Sequence, residues 1–314
     1  MRLVFCGTPQ FAVGTLQAVI AAGHQVELVV AQPDRASGRG LNVEYGPVKS
    51  LALAHGIEVV QPAKVKVNAD FRARLEGIAP DAILVVAYGR IIPEWMLALP
   101  RLGCINLHGS LLPKYRGAAP IQWAVANGET ITGVTTMRLD AGLDTGPMLL
   151  AQAEPIAPEE TAANLFESLA DIGANLMLRT LAGLEDGSVF PIEQNPAAAS
   201  LAPILTREDG RIDCSRTARE CIDRWRGFQP WPGAWTTSRG KKFIVHRMAF
   251  APQASVADAP TTPGRLYVEG KRLMLQCADA AVELLEVQLE GKRRMSAADF
   301  LQGNQIATGE QVGE

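Results

Sequence analysis

An amide and an imidazole stand close together at the end of a short apolar segment. Asn106 and His108 follow the strand-like residues Cys104 and Ile105, with Leu107 between them. Side chains alternate along a strand, so Asn106 and His108 are predicted to project from one face while Leu107 points away. An open α/β sheet binds its ligands beyond the carboxyl ends of its strands. The pair is therefore a candidate catalytic site, although its spacing alone names no reaction and also suits a structural role.

A second candidate group lies in a loop that is rich in acids and glycines. The segment Asp140-Ala141-Gly142-Leu143-Asp144-Thr145-Gly146 separates two strand candidates, 132–139 and 147–152. One interpretation is an acidic turn, in which short polar side chains bond to nearby backbone. The other is a carboxylate, Asp144, directed at His108. An aspartic protease is excluded because its second Asp-Thr/Ser-Gly segment does not occur.

Two other site types are less consistent with the sequence. The turn Gly7-Thr8-Pro9-Gln10 lacks the further glycines of a dinucleotide-binding turn, and Pro9 removes a backbone donor, so NAD or FAD binding is not expected. A hydrolase triad of Ser110, His108 and Asp144 is a distant alternative, because Gly109-Ser110-Leu111 does not form a nucleophile elbow. The other histidines, His24, His55 and His246, favour surface or packing roles.

Strand and helix patterns alternate over the first part of the chain. Thr8 is predicted to cap the first helix, with Pro9 at its first position and the helix ending at Ala22. The predicted strands are 2–6, 26–31, 57–60, 82–86 and 103–107, and the predicted helices include 47–54 and 161–184. Such alternation predicts βαβ units and an α/β fold with a doubly wound, mostly parallel sheet.

The pattern changes after the long helix. Residues 187–205 are rich in Ala, Pro, Asn and Ser and are predicted to form a linker between domains 1–186 and 206–314. The last part has a helix candidate, 215–226, and short strand candidates at 242–248, 265–268, 272–277 and 281–287. This arrangement is typical of a small β-barrel or sandwich.

Composition limits the class of protein. The chain has 314 residues, 47% hydrophobic and 20% charged, which is ordinary for a globular enzyme of two domains. Its five scattered cysteines form no Cys-x-x-Cys pair, so neither zinc nor a disulfide framework is predicted. We expect a cytoplasmic protein without a membrane segment, an export signal or a metal.

The net charge of −3 divides into −5 for residues 1–205 and +2 for residues 206–314, which permits a local basic face on the second part.

The longer strings around these residues resemble the folate-dependent formyltransferases. The resemblance is carried by Asn106-Leu107-His108-Gly109-Ser110-Leu111-Leu112-Pro113 with Asp144, by the opening 5–12, and by 115–123 and 142–146. It continues through Gly210-Arg211-Ile212-Asp213, residues 228–234 and residues 291–296, and so covers nearly the whole chain. Within the family it is greatest with members whose acceptor is methionyl initiator tRNA.

The resemblance implies a Rossmann-like first domain, a smaller OB-like barrel, and 10-formyltetrahydrofolate as co-substrate. It implies that Asn106 donates a hydrogen bond to the formyl oxygen, that His108 as an imidazolium gives a second one to the oxyanion, and that Asp144 holds His108. Either His108 or a bound water takes the proton of the attacking amine. The residues that the resemblance implies for folate binding are Ser110, Leu111, Leu112, Pro113, Val86, Gly89, Ile91, Ile92, Asp140 and Gly142.

The resemblance also implies contacts with tRNA. The connector 32–46 is long, glycine-rich and partly basic, as functional loops often are. Leu41 and Asn42 stand where family members often carry further cations, so this loop is less basic than usual. In the second domain, cations adjoin aromatic residues near 224–228 and 239–242. The residues predicted to contact tRNA are Arg35, Arg39, Arg224, Arg226, Lys241 and Lys242.

Two other functions remain open from the sequence. A formyltransferase acting on a sugar amine or another small amine would share the first domain. A non-catalytic RNA-binding module would leave the Asn106, His108 and Asp144 group without a purpose. We expect a monomer.

Overall fold

The computed structural model describes residues 1–34, 36–37, 42–251, 261–304, 306 and 309–313, and it divides the chain into two compact units. The first unit contains residues 1–120, 131–155 and 165–203. The second contains residues 121–130, 156–164 and 204–314.

The first unit is built on a seven-stranded sheet. In chain order the elements of residues 1–203 are β1 Arg2–Gly7, α1 Val13–Ala21, β2 Gln25–Val30, β3 Ala36–Ser37, β4 Asn42–Val43, α2 Pro47–Ala54, β5 Val59–Val60, α3 Ala69–Ile78, β6 Ala82–Val86, α4 Glu94–Leu97, β7 Cys104–His108, β8 Arg116–Gly117, α5 Pro120–Ala126, β9 Ile131–Arg138, β10 Met148–Pro155, α6 Ala162–Asp186 and β11 Leu201–Ala202. Helices α5 and α6 cross the boundary between the units.

The order of strands in this sheet is β10-β9-β7-β6-β1-β2-β5. The strands from β7 to β5 run parallel, and β9 and β10 are antiparallel additions at one edge. Chain order reverses between β1 and β6, as in a doubly wound sheet. All five residues of β6 are buried, because the strand is covered on both faces. The predicted doubly wound, mostly parallel sheet is confirmed.

The start of the first helix differs from the prediction. A 3₁₀ turn, Gln10–Ala12, precedes α1, and its cap is Pro9, which makes no side-chain cap hydrogen bond. The hydroxyl of Thr8 instead accepts a hydrogen bond from the backbone N–H of Gln32, 3.1 Å away. The prediction that Thr8 caps this helix is therefore wrong, because a tertiary contact between two strand ends occupies its side chain.

The second unit contains an antiparallel sheet. After the 3₁₀ turn Glu208–Gly210 its elements are α7 Ala218–Gly227, β12 Ala234–Ser238, β13 Lys241–Phe250, β14 Arg265–Glu269, β15 Arg272–Gln276, β16 Ala281–Leu289, β17 Met295–Ser296, α8 Ala297–Gly303 and β18 Glu310–Gln311. The strand order is β12-β13-β16-β15-β14-β18, with β17 beside β16. A bridge between Ser238 and Val312 joins the two ends of this order. The sheet is therefore a nearly closed barrel, and the predicted OB-like barrel is confirmed.

The segment predicted to be a linker is packed in the first unit. Leu201 and Ala202 form β11 and pair with β8, and Ile192 pairs with Met148. A 3₁₀ turn, Pro196–Ala198, lies between these pairings. The functional division at residues 186 and 206 stays a prediction. Within the described part of the chain, no helix is long and apolar enough to cross a membrane.

Candidate active site

Strand β7 presents Asn106 and His108 at the carboxyl edge of the sheet. Asn106 lies between Val85 of β6 and Met137 of β9, and the backbone of His108 is opposite Thr135. Leu107 points to the other face, where its side chain packs so closely on α6 that a Cβ at Gly173 would lie 2.5 Å from it. Asn106 and His108 therefore share one face, as the alternation predicted.

His108 is held between two acceptors. Its Nε2 lies 2.8 Å from the carbonyl oxygen of Tyr115, and because a carbonyl only accepts, Nε2 is the donor. Its Nδ1 faces the carboxylate Oδ2 of Asp144 at 3.7 Å. That distance is too long for a hydrogen bond but close enough for strong attraction of a protonated ring. The imidazole is only 6% exposed, so little water screens this attraction.

Asp144 is fixed by its backbone as well as by its side chain. Its Oδ2 accepts a hydrogen bond from the backbone N–H of Gly117 at 2.9 Å. Its φ of +51° lies in the left-handed region, which is costly for a residue other than glycine. The amide of Gln194 donates to the carbonyl oxygens of Asp144 (2.8 Å) and Gly146 (2.7 Å) and so supports this conformation. Arg116 in turn donates to the amide oxygen of Gln194.

Asn106 has an unused amide. It is 8% exposed, yet its side chain makes no hydrogen bond with any residue that the structure describes. Most buried polar groups are paired, so a nearly buried, unpaired amide beside an imidazole is available to a ligand.

The two buried cysteines of the sheet, Cys104 and Cys6, are not candidate nucleophiles. Cys104 begins β7 on the face of Asn106, but burial raises the pKa of its thiol to about 12. Burial also raises the pKa of the neighbouring Cys6 thiol. Both thiols therefore stay protonated at neutral pH and are poor nucleophiles.

The loop that follows His108 is held by hydrogen bonds within the loop and with β9. The hydroxyl of Ser110 donates to the carbonyl of Lys114 at 2.6 Å, and its own carbonyl accepts from Thr135. Thr135 also accepts from the backbone N–H of Leu112. Ser110 is fully buried, so its side chain stabilises the loop from the protein interior. Leu111 and Pro113 are partly exposed.

The other residues predicted to bind folate lie on two loops. Val86 ends β6 and is buried, Gly89 has a φ of +70°, Ile91 is 89% exposed and Ile92 is buried. On the second loop, the carboxylate of Asp140 accepts hydrogen bonds from the backbone N–H of Gly142 and the hydroxyl of Thr145. The first loop follows the carboxyl end of β6, and the second follows β9 and contains Asp144, whose carboxylate faces His108.

The structure describes four of the six residues that were predicted to contact tRNA. Arg35 and Arg39, together with Leu41, lie outside the described residues. Lys241 and Lys242 are exposed, and the Lys242 ammonium lies 4.6 Å from the ring centre of Trp235.

The two α7 arginines are more enclosed. Arg224 is half-buried over the rings of Trp123 and Phe228. Arg226 is 3% exposed, pairs with Asp223 and donates to the carbonyls of Ala157 and Glu160. Arg226 therefore has a structural role within its unit and is not retained as an RNA contact.

Several residues that position the site were not identified from the sequence. Gln194 and Ser200 lie in the predicted linker, and Ser200 accepts a hydrogen bond from the backbone N–H of Tyr115. Tyr115 has a φ of +62° and presents the carbonyl that holds His108. No local pattern marks such residues, because their partners lie far away in the chain.

Comparisons with known proteins agree with this geometry. A family profile described as "Formyl transferase" matches residues 1–181, and "Formyl transferase, C-terminal domain" matches residues 204–305. The chain belongs to the formyl transferase family. It is a formyl-transferring enzyme, and the family resemblance seen in the sequence is confirmed.

Relatives and solved structures extend this result. A methionyl-tRNA formyltransferase of Acidobacterium capsulatum is 61% identical over 314 residues, covering 100% of both chains. One of Koribacter versatilis is 55% identical, covering 100% of this chain and 99% of the relative. An N-formyltransferase from Helicobacter canadensis, solved with folinic acid and dTDP-3-aminofucose, has a TM-score of 0.66 at 17% identity and covers 90% of this chain and 98% of the other. At that identity the solved structure shows a shared fold.

Among the described residues, no group of three or more His, Cys, Asp or Glu side chains could hold a metal ion. The predicted absence of a metal stays a prediction.

Proposed function

We propose that this formyl transferase moves the formyl group of 10-formyltetrahydrofolate to the amino group of methionyl initiator tRNA. The product is N-formylmethionyl-tRNA for translation initiation. The observation that carries the proposal is the face of β7, where the unpaired Asn106 amide adjoins an imidazole set between two acceptors. The acceptor is supported by the full-length relatives, and the co-substrate by solved structures of this fold in complex with folinic acid or tetrahydrofolic acid.

The chemistry requires a donor for the developing oxyanion. When the amine attacks the formyl carbon, negative charge grows on the formyl oxygen, and preorganised donors in a dry site stabilise it. Asn106 gives the direct hydrogen bond. His108 faces Asp144 and the carbonyl of Tyr115, and a doubly protonated ring suits two acceptors. Because both ring nitrogens face acceptors, His108 stabilises the oxyanion through its positive charge and not through the second hydrogen bond that the resemblance implied. Asp144 and Tyr115 hold the ring in place.

The folate ring is assigned to the loops that leave β6 and β9. Residues 86–92 and 139–144 border the site, with the partly exposed Leu111 and Pro113 beside them.

Residues 1–186 carry the transfer and residues 206–314 contact the tRNA, with Lys241, Lys242 and Arg224 as the described candidates. The protein acts as a monomer.

The experiment compares acceptors with 10-formyltetrahydrofolate as donor. We expect charged initiator tRNA to be formylated in preference to charged elongator tRNA and to dTDP-amino sugars. Asn106→Ala should lower kcat by about 10²-fold or more, the loss seen when one oxyanion donor is removed.

The matched control is Asn175→Ala, which changes the same residue type on the exposed face of α6. Turnover near the wild-type value in Asn106→Ala would remove the proposed role of the amide. Preferential formylation of an amino sugar would replace the proposed acceptor.

A further inference from the structure

A cleft opens beside the candidate active site at the same edge of the sheet. It has a volume of about 420 Å³ and is lined by Thr8, Pro9, Gln32, Pro33, Asp34, Glu44, Gly46 and Ala87. These residues follow β1, β2 and β6 or lead into α2. Chain order reverses between β1 and β6, and ligands of open α/β sheets bind at such a reversal. The cleft is therefore separate from Asn106 and His108, which end the neighbouring strand β7.

Hydrogen bonds hold the walls of the cleft in place. The backbone N–H of Gln32 donates to Thr8, which joins the ends of β1 and β2. The side-chain amide of Gln32 donates to the carbonyl of Tyr88 at 2.8 Å, which ties the end of β2 to the loop after β6. That loop is one of the two assigned to folate. The cleft and the folate loop thus share a rigid wall.

The carboxylate of Asp34 is fixed but retains acceptor capacity. Lys49 pairs with its Oδ2, and the amide of Gln61 donates to its Oδ1 at 2.8 Å. These hydrogen bonds lower the pKa of Asp34, first through Lys49 and then through Gln61, so the group is an anion at neutral pH. Two carboxylate oxygens have about four lone-pair positions, so acceptor positions remain for a ligand.

The lining selects the kind of ligand. Asp34 and Glu44 would repel a phosphate. The thioether of the methionyl side chain has no hydrogen to donate to these carboxylates. A sugar hydroxyl does donate, and a carboxylate at the end of the second strand is where α/β nucleotide sites bind ribose hydroxyls. Pro9, Pro33 and Ala87 supply apolar surface against which the face of a base could lie.

We propose that this cleft binds the terminal ribonucleoside of the acceptor, with Asp34 accepting a hydrogen bond from the free ribose 2′-hydroxyl. The inference rests on the proposed function, because it requires an acceptor whose amine is attached to a nucleoside. Two strand spacings of roughly 5 Å separate β7 from β1, so the cleft lies about 10 Å from His108 along the edge. An aminoacyl ester spans this gap, with its amine at Asn106 and its ribose at Asp34.

Gly46 allows the cleft to be filled without disturbing the fold. Its φ of −61° and ψ of 153° suit any residue, and a Cβ there would meet Thr8 only at ordinary contact distances of 3.7 and 3.9 Å. Gly46→Leu therefore places a side chain in the cleft. Gly77→Leu on α3 is the matched control, because nothing lies within 4 Å of a Cβ at Gly77.

The test compares two acceptors with 10-formyltetrahydrofolate as donor, 3′-O-methionyladenosine and methionine methyl ester. The wild-type enzyme should prefer the nucleoside ester in kcat/KM by at least about tenfold, since contacts remote from the reacting atoms still raise kcat/KM. Gly46→Leu should abolish that preference, and Gly77→Leu should retain it. An unchanged preference in Gly46→Leu would overturn the inference. So would an equal loss with both esters, because the cleft would then hold the methionyl part that they share.

A second comparison tests the role of Asp34. The wild-type enzyme should favour 3′-O-methionyladenosine over its 2′-deoxy analogue, and Asp34→Asn should lose this preference. Equal use of the two analogues by the wild-type enzyme would contradict recognition of the hydroxyl. If the wild-type enzyme formylated neither ester nor methionyl-tRNA, the proposed function itself would fail, and this outcome is distinct from the others.

Discussion

At the scale of single residues, the candidate site combines a free group with constrained supports. Asn106 is available to a ligand, whereas Asp144 and Tyr115 adopt left-handed backbone conformations. Such conformations persist where surrounding contacts determine them. Here Gln194 and Ser200 supply these contacts from another part of the chain. The shape of the site therefore depends on residues that do not touch the reacting groups.

Replacing Gln194 should impair turnover and stability together. Gln194→Leu removes the donor to the carbonyls of Asp144 and Gly146 and the acceptor for Arg116. We expect kcat to fall by about tenfold, because a small displacement of a catalytic group is costly. The free energy of unfolding should fall by about 1–3 kcal/mol, because buried polar groups lose their partners. Steady-state kinetics and urea unfolding measure both effects. Gln152→Leu on the exposed part of β10 is the control, and wild-type values in both variants would refute the role of Gln194.

At the scale of elements, helix α7 contains a buried ion pair. The side chains of Arg226 and Asp223 are 3% and 5% exposed, and Arg219 reaches the same carboxylate from the surface with 51% exposure. A capping box at Thr217 and Glu220 begins the helix. The Asp223 carboxylate thus has two partners on the same helix, the buried Arg226 and the exposed Arg219.

The two arginines should contribute very differently to stability. Arg226→Met removes the buried partner of the Asp223 carboxylate and the donor to two carbonyls, and we expect a loss of about 3–5 kcal/mol in the free energy of unfolding. Arg219→Met removes the exposed partner of Asp223 and leaves the buried pair in place, with a loss of at most about 1 kcal/mol. Urea unfolding followed by circular dichroism measures both. Equal losses would show that the burial of Arg226 has no energetic consequence.

The first strand is joined to β6 by an interaction that depends on pH. Asp81 accepts hydrogen bonds from the backbone N–H of Arg2 at 2.7 Å and from Arg101 at 2.8 Å. These contacts, the backbone one first, hold the pKa of Asp81 below its usual value. Since the folded pKa is lowered, the stabilisation is complete above the unfolded pKa of about 3.9 and disappears as pH falls through the folded pKa.

Asp81→Asn should therefore destabilise the protein by about 1 kcal/mol at pH 7 and by less as the pH falls below about 4. Urea unfolding at several pH values measures the difference between the variant and the wild-type protein. Asp171→Asn on the exposed face of α6 serves as the control. A difference that does not change with pH would contradict an ionic contribution from Asp81.

At the scale of the whole molecule, the proposed contact with tRNA would have to form despite an overall charge of −3. The exposed Lys242 lies over Trp235, and Arg211 lies over the same ring at 6.0 Å. Cations beside aromatic residues in a small barrel are typical of RNA-binding surfaces. The positive charge is therefore local, and its effect should depend on salt.

Binding of methionyl-tRNA should weaken steeply with salt, because phosphate contacts release counterions. Lys242→Ala should reduce the slope of a plot of the logarithm of the tRNA association constant against the logarithm of the salt concentration by about 1. It should leave kcat at saturating tRNA unchanged. Fluorescence titration from low to moderate salt measures the slope. Lys271→Ala, at an exposed turn of the same barrel, is the control. An unchanged slope in Lys242→Ala would remove this residue from the RNA surface.

The sequence by itself determined many of the longer strands and helices and the Asn106 and His108 pair of the candidate site. Strand β6 and helix α2 have the predicted bounds, because apolar runs and an N-terminal proline act over a few residues. Asn106 and His108 were predicted to share a face because alternation along a strand is local. The sequence also placed Asp144 near His108, through the loop that follows β9. Family membership came from strings of adjacent residues, which a sequence records directly.

Only the tertiary structure decided how the site is held. Gln194 reaches Arg116 across 78 positions, and Ser200 reaches Tyr115 across 85. The supposed linker therefore supports the site, and Arg226, which looked like an RNA contact, is buried in an ion pair. Thr8 bonds to the end of another strand rather than to its own helix. A polar side chain has the same type whether it caps a helix, pairs with a distant group or meets solvent, and packing over long sequence separations selects among these partners.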